Sequence, residues 1–198
     1  MFVPLNREYG RPKVGLGAVG PEMTRVAAEV ADALLCHSFT SPKYLREVTL
    51  PAVESVLAAH GRARKDFRII GMPFFACGET DQELEKAMAG ARRRIAFYAS
   101  TPAYAQVLAC HGFEGVQPEM LRLSKLGEWE AMGRLVSDDM LNAYVITGSA
   151  AHCARELQRR YDGIFDMACG YTDEDPGMPR AVLEALVGNR DSSVGPAG

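Results

Sequence analysis

Apolar residues along this chain alternate between two spacings, one typical of buried strands and one typical of amphipathic helices. The first stretch predicts a strand at 13–19 and a helix beginning near Pro21, where proline loses no hydrogen bond and has a suitable φ. The residues expected to form the buried stripe of this helix are Met23, Val26, Ala27 and Val30. Together the two segments make one strand-helix unit.

Three further units repeat this order. Ser41 is positioned to cap the second helix, and Pro51 is expected to kink it. Thr80 and Glu83 have the spacing of a capping box at the start of the third helix. The predicted strands lie at 33–36, 67–77 and 165–169, and the predicted helices lie at 41–60, 80–99 and 178–187.

An irregular, mostly helical insert at 100–143 interrupts the alternation before a helix resumes at 150–161. Alternating strands and helices predict an α/β fold with parallel strands. Four units fit either a small open sheet or half of an eight-stranded barrel, whose full length is about 250 residues. The predicted domain covers residues 1–188, and the tail at 189–198 is expected to be disordered because it is rich in Gly, Ser and Pro.

Three glycines at the end of the first strand have the spacing G-x-G-x-x-G, as Gly15, Gly17 and Gly20. Small residues in this pattern let backbone amides approach a phosphate at a helix N-terminus. A nicotinamide site would also need an acid at the end of the second strand, but Asp32 precedes that strand. The pattern therefore favours another phosphate-bearing ligand, unless the glycines only form a tight turn.

Composition narrows the function classes. The chain is 47% hydrophobic and carries a formal charge of −3, which gives no electrostatic reason to expect nucleic-acid or membrane binding. A small-molecule substrate is expected instead. Five dispersed cysteines without a C-x-x-C pair predict neither a disulfide framework nor a metal site, and they fit a reducing cytoplasm.

Several runs of sequence resemble the bacterial luciferase-like monooxygenase superfamily, and within it the oxidoreductases that depend on the deazaflavin coenzyme F420. The resemblance extends from about residue 2 to residue 186. The runs are KVGLGAVGPEM at 13–23, AEVADALLCH at 28–37, SPKYLREVTLPAV at 41–53, IAFYASTPAY at 95–104 and LRLSKLGEW at 121–129.

The resemblance implies that the four units form the C-terminal half of a TIM-type (β/α)8 barrel. It also implies hydride transfer between F420 and an unknown organic substrate. A flavin mononucleotide-dependent monooxygenase is the alternative, and a non-catalytic half barrel that needs a partner is a third. Because a half barrel exposes two strand edges, either a homo-oligomer or a missing N-terminal half is expected to complete it.

The resemblance also suggests where a cofactor binds, although it identifies no catalytic acid or base. The turn before the first helix would cradle a phosphate, and the loop after the second strand would line the same mouth. Ser38 and Thr40 could instead cap the next helix. Ser100, Thr101 and Tyr104 could reach the substrate end or could simply start a helix. The predicted cofactor-binding residues are Ala18, Val19, Gly20, Pro21, His37, Ser38 and Thr40.

Overall fold

Strands and helices alternate along residues 10–169 and 179–193, which are the residues that the computed structural model describes. The strands are β1 (Gly15–Ala18), β2 (Ala33–Cys36), β3 (Arg68–Gly71), β4 (Phe74–Cys77), β5 (Val145–Gly148) and β6 (Met167–Ala168). The helices are α1 (Pro21–Val30), α2 (Pro42–Tyr44), α3 (Leu50–Ala59), α4 (Asp81–Ala99), α5 (Ala105–Ala109), α6 (Gln117–Leu126), α7 (Trp129–Arg134), α8 (Asp138–Tyr144), α9 (Ala150–Tyr161) and α10 (Arg180–Ser193). A π-helical segment at Leu45–Thr49 joins α2 to α3, and short 3-10 turns lie at Arg64–Asp66, Pro102–Tyr104 and Glu114–Val116.

The main sheet has four parallel strands in the order β1-β2-β3-β6. Each strand comes from one of the four predicted strand-helix units, and the spatial order follows the chain order. Consecutive parallel strands, each followed by a helix, are the arrangement of a (β/α) barrel. The prediction of an α/β fold built from half of such a barrel is confirmed.

The third predicted strand, at 67–77, is not continuous. Met72 and Pro73 separate β3 from β4, and proline cannot donate to a sheet ladder. The two pieces belong to different sheets, because β3 pairs with β2 and β6 whereas β4 pairs with β5. The short strand β5, which follows the helical insert, was absent from the prediction.

The second helix begins where predicted, since the Ser41 hydroxyl accepts a hydrogen bond of 3.0 Å from the Tyr44 amide. Its middle contains the π-helical segment, which ends two residues before Pro51. Proline lacks the amide that would continue the α-helical ladder, and a wider turn just before it accommodates the lost bond. The irregularity expected at Pro51 therefore takes the form of a π segment.

The predicted buried stripe of α1 is wrong at three of its four positions. Met23, Val26 and Val30 are 47%, 40% and 71% exposed, and only Ala27 is buried. The helix instead buries the small residues Thr24, Ala27 and Ala28. Close packing of α1 against β1, β2 and α3 leaves room for short side chains on that face.

Buried apolar residues form two clusters. One lies between the main sheet and helices α1, α3 and α9, and it includes Leu34 and Ile69. The other surrounds α4 and the helical insert, and it includes Phe39 and Tyr144. Because Leu34 precedes and Phe39 follows the end of β2, the loop after β2 lies where the two clusters meet.

The C-terminal part departs from prediction in its boundaries. The last strand is reduced to Met167–Ala168, and α10 is Arg180–Ser193, which ends beyond the predicted helix at 178–187. Met178 and residues 194–198 lie outside the described residues. No helix in the described part of the chain is long and apolar enough to cross a bilayer.

Candidate active site

Parallel pairing places the loops after β1 and β2 side by side. Ala18 lies opposite Cys36 in the register, so the turn that follows β1 adjoins the loop that follows β2. The Tyr44 hydroxyl reaches across to the carbonyl of Val19 at 3.5 Å. Both loops lie at the carboxyl ends of the strands, where (β/α) barrels carry their active sites.

Four of the predicted site residues line one small cavity: Ala18, Val19, His37 and Thr40. The cavity measures about 10 Å³, enough for one water molecule. These residues therefore line a water-sized cavity beside the loops after β1 and β2, and they do not enclose a cavity large enough for a cofactor.

The three fingerprint glycines have different surroundings. A Cβ atom on Gly15 would lie 2.3 Å from the terminal methyl of Leu35, so a larger residue there would displace the Leu35 side chain. A Cβ on Gly17 or Gly20 would meet nothing within 4 Å. Neither of these two has a positive φ, so the chain itself does not require glycine there. The open space leaves their backbone accessible to an external group, as a phosphate cradle requires.

The N-terminus of α1 is open to a ligand. Gly20 is the N-cap and supplies no side-chain hydrogen bond, and Pro21 has no amide hydrogen. Thr24 makes the first helical bond, to the carbonyl of Gly20 at 3.0 Å. The amides of Glu22 and Met23 precede that bond and have no partner within the helix. They point outward from the positive end of the helix dipole, although the Glu22 carboxylate lies in the same turn.

Two other helices that follow strands have closed N-termini. On α4, Thr80 and Glu83 form the predicted capping box. The Thr80 hydroxyl accepts a bond of 3.2 Å from the Glu83 amide, and the Glu83 carboxylate accepts one of 3.1 Å from the Thr80 amide. On α9, the Ser149 hydroxyl caps the amide of His152 at 3.3 Å. The Glu79 carboxylate accepts a further bond of 2.8 Å from the Ala150 amide. The N-termini of α4 and α9 are thus both capped by side chains of the protein.

His37 is fixed by hydrogen bonds at both ring nitrogens. Its Nδ1 accepts a bond of 3.0 Å from the Phe39 amide, and its Nε2 lies 3.2 Å from the Tyr104 hydroxyl oxygen. The ring also contacts Tyr98 edge-on, with centroids 4.7 Å apart. Burial lowers the pKa of His37 below its usual value, because the surroundings disfavour the charged ring.

The remaining predicted residues have other surroundings. Gly20 and Pro21 form the start of α1 and lie outside the cavity wall. Ser38 is half-buried, and its carbonyl accepts a bond of 2.9 Å from the Thr40 amide. Neither Ser38 nor Thr40 caps the next helix, because Ser41 does so.

Asp32 has a structural role. Its carboxylate bonds the Lys13 ammonium group and the Val14 amide, both at 2.9 Å, at the amino end of β2. These bonds lower the pKa of the carboxyl group. Asp32 lies at the amino end of β2, whereas the loop that contains His37 lies at the carboxyl end. This position agrees with the argument against a nicotinamide site.

Sequence reasoning missed several residues of the mouth. Tyr98 packs edge-on against the His37 ring, Phe39 stacks on Tyr98, and Glu79 closes the N-terminus of α9. A signal existed for Tyr98, because it lies six residues before Tyr104 in a run that resembles the family. Nothing in the spacing of Glu79 indicates its bond to a helix that begins 71 residues later.

Known proteins are similar to this chain in sequence. An uncharacterised protein of Mycobacterium tuberculosis is 45% identical over 166 residues, which cover 84% of this chain and 49% of that protein. A 5,10-methylenetetrahydromethanopterin reductase of Methanolobus tindarius is 29% identical over 165 residues, covering 81% of this chain and 48% of the reductase. The chain spans about half the length of these curated relatives.

A solved structure gives the same picture of the fold. The coenzyme F420-dependent tetrahydromethanopterin reductase of Methanopyrus kandleri superposes with a TM-score of 0.69 at 21% identity, covering 89% of this chain and 49% of the reductase. The sequence profile of the luciferase-like monooxygenase family matches residues 2–167. The chain belongs to the luciferase-like monooxygenase family.

Proposed function

We propose that this chain acts in an oxidoreductase that transfers hydride between the deazaflavin coenzyme F420 and a small organic substrate. The N-terminus of α1 would hold an anionic group of the cofactor. F420 supplies the hydride chemistry when bound, and the protein supplies position and electrostatics. Relatives whose names specify methylenetetrahydromethanopterin reduction or F420 dependence support this choice of cofactor.

The observation that carries the proposal is the open turn before α1. Gly17 and Gly20 leave free space above an accessible backbone, and the first amides of a ten-residue helix lack intrahelical acceptors. A phosphate would accept hydrogen bonds from the amides of Glu22 and Met23 and would interact favourably with the helix dipole. His37 and Thr40, in the neighbouring loop, would lie beside the bound cofactor.

The test is a titration of the purified chain with F420 and, separately, with flavin mononucleotide, followed by fluorescence. We expect F420 to bind and Gly20→Val to weaken binding at least tenfold, about 1.4 kcal/mol, because the side chain would fill the space needed by the phosphate. The matched control is Gly115→Val, since a Cβ on Gly115 also meets nothing within 4 Å and Gly115 also lacks a positive φ.

The possible results of the two titrations favour different functions. Binding of flavin mononucleotide and not F420 would favour a flavin-dependent monooxygenase. Binding of neither cofactor would favour a non-catalytic half barrel that requires a partner. Equal affinity of the Gly20→Val and Gly115→Val variants for F420 would refute the assignment of the turn before α1.

A further inference from the structure

We propose that two copies of this chain associate about a two-fold axis parallel to the strands of the main sheet, so that together they form a closed eight-stranded barrel. The outer edge of β1 in each copy pairs with the outer edge of β6 in the other copy, and α1 packs against α10 of the other copy. The two junctions are equivalent by symmetry. We call β1 with α1 the first flank of the half barrel, and β6 with α10 its last flank.

Both edges of the main sheet are open. Within the described residues, β1 pairs with β2 alone and β6 pairs with β3 alone. Each edge also holds a large apolar side chain in solvent: Val14, immediately before β1, is 56% exposed, and Met167 in β6 is 55% exposed. Open strand edges are templates for pairing with another chain. Because all four strands are parallel, a half-turn about an axis along them brings β6 of a second copy beside β1 in the parallel direction.

One face of the main sheet is open as well. The register places Gly17, Leu35, Ile70 and Met167 side by side across the four strands, so these positions share one face. Neighbouring residues of β2 and β3 point to the opposite face and pack in the core with the helices. On the open face, Leu35 and Ile70 border a concavity of about 740 Å³. In an eight-stranded barrel this face is the packed interior, which a second half barrel covers.

Helix α1 carries an apolar stripe that remains exposed, formed by Met23, Val26 and Val30. At about 100° per residue, the stripe lies about 120° around the helix axis from the side of α1 that is buried. It therefore faces sideways along the ring of helices, and α3, which packs against α1, leaves it uncovered. The sequence predicted these residues to be buried, and a helix of a second copy would bury them.

Helix α10 carries the counterpart of this stripe. Leu183 and Val187 are exposed, whereas Val182 is fully buried. The two exposed residues lie about 120° around the axis from Val182, in the opposite rotational sense to the stripe of α1. Because α1 and α10 each follow a strand of the same parallel sheet, the opposite sense places the stripes at the two outer sides of the half barrel. With Met167, Leu183 and Val187 line an open groove of about 1070 Å³ beside β6, and the half-turn brings the stripe of α1 to this groove.

The complementarity of the two flanks indicates a second copy as the occupant. The first flank offers a strand edge and an apolar stripe, and the last flank offers a strand edge and an apolar groove. Two copies supply eight strands, as one barrel requires, and the chain spans about half the length of the curated relatives. In the closed pair, the loops after β1 and β2 of both copies lie at one end of the barrel. The water-sized cavity beside His37 then adjoins a mouth that both copies line.

The first measurement is the mass of the purified chain in solution, by sedimentation velocity over a range of concentrations. We expect a dimer, with twice the chain mass of 21.5 kDa. Val30→Glu should raise the Kd of the dimer at least tenfold, about 1.4 kcal/mol, because the carboxylate would be buried at both junctions. Leu126→Glu is the matched control, since each residue is exposed and ends a ten-residue helix. A wild-type monomer at every concentration, or equal Kd values for the two variants, would overturn the proposal.

The second measurement tests which helices meet. A variant with Val26→Glu and Val30→Glu and a variant with Leu183→Lys and Val187→Lys should each be monomeric, with melting temperatures that show both to be folded. An equimolar mixture should recover dimers, because one junction then joins an acidic stripe to a basic one and the other joins two unchanged stripes. A mixture that stays monomeric would show that α1 does not meet α10 of the other copy.

Hydrogen exchange distinguishes a closed barrel from a dimer held by its helices alone. The amides at the outer edges of β1 and β6 should exchange more slowly in the wild-type dimer than in the monomeric variant with two glutamates on α1. Equal exchange would refute the strand pairing. A wild-type monomer that binds the half of the Mycobacterium tuberculosis relative that this chain does not match would assign both flanks to a different chain. None of these measurements uses F420, so their failure is distinct from failure of the proposed function.

Discussion

Helices α1 and α9 each begin two or three residues after a parallel strand ends, yet their N-termini differ. On α9, Ser149 and Glu79 satisfy amides of the first turn. On α1, the N-cap is Gly20, and within the described residues no side chain bonds the amides of Glu22 or Met23. The difference indicates that an uncapped N-terminus is not a general property of the helices that follow parallel strands in this chain.

The opposite end of α1 shows that the helix is otherwise well anchored. The Arg62 guanidinium donates to the carbonyls of Ala28, Glu29 and Ala31, at 3.2 Å for Glu29 and 2.6 Å for Ala31. It also lies over the Phe67 ring, 5.5 Å from its centroid. The C-terminus of α1 is thus satisfied by the Arg62 side chain, whereas its N-terminus has no side-chain cap in the described part of the chain.

The largest effect on stability is expected from Arg62→Ala. Loss of the bonds to three carbonyl groups and of the contact with Phe67 should reduce the free energy of unfolding by about 2 kcal/mol. Chemical denaturation measures this change. F420 affinity of the folded variant should remain within about twofold of wild type, because the substitution lies at the other end of α1. A large loss of affinity would contradict the independence of the two ends.

A smaller effect is expected from Glu79→Ala, which opens the N-terminus of α9. The free energy of unfolding should fall by about 1 kcal/mol because the Ala150 amide loses a charged acceptor. Glu79→Gln is the matched control, since it keeps the acceptor oxygen but removes the charge.

The same variant should gain an anion response. Inorganic phosphate should raise the melting temperature of Glu79→Ala more than that of wild type, since the Ala150 amide of α9 would then lack its carboxylate acceptor. Equal phosphate responses in the two proteins would show that Glu79 is not what closes the site.

The smallest effect concerns the pH dependence of α9. Hydrogen bonds from Arg159 and Arg160 lower the pKa of Glu156 to about 2. A carboxyl group with a lowered pKa in the folded state stabilises the fold above its unfolded value of 4.5, and this contribution is lost as the pH falls towards 2. Glu156→Gln should therefore lose less stability than wild type between pH 4.5 and 2. Denaturant midpoints across this range provide the check, and parallel curves would contradict it.

The ion pair between Glu156 and Arg160 also connects α9 to strand β5. It donates bonds of 3.0 Å to the carbonyls of Asn142 and Val145, at the junction of α8 and β5. Glu156 holds the same guanidinium at 2.9 Å. Protonation of Glu156 should thus loosen the contact of α9 with the strand before it.

Local signals predicted the helix ends well. The capping box of Thr80 and Glu83, the N-cap Ser41 and the helix at Ala150–Tyr161 all depend on neighbouring residues in sequence. The buried face of α1 depends on distant packing. Hydropathy favoured Met23 and Val26, but close contact with the sheet and α3 favours small residues.

The candidate site could be predicted only in part for the same reason. Glycine spacing and family resemblance indicated the turn before α1 and the loop that contains His37. The bond between His37 and Tyr104 joins residues 67 positions apart, so no local pattern contains it. Pro73 was a local signal for the break between β3 and β4, but the pairing of the two pieces in different sheets depends on distant strands.

The π-helical segment at Leu45–Thr49 affects how this chain should be compared with other members of its family. A π turn contains about one residue more than the α-helical turn it replaces. A family member with an uninterrupted helix here would require a one-residue gap in the alignment. Without that gap, Lys43 and Tyr44 would be matched to positions rotated by about 100° around the helix axis. Ungapped counting back from Pro51 would therefore equate side chains that face different directions.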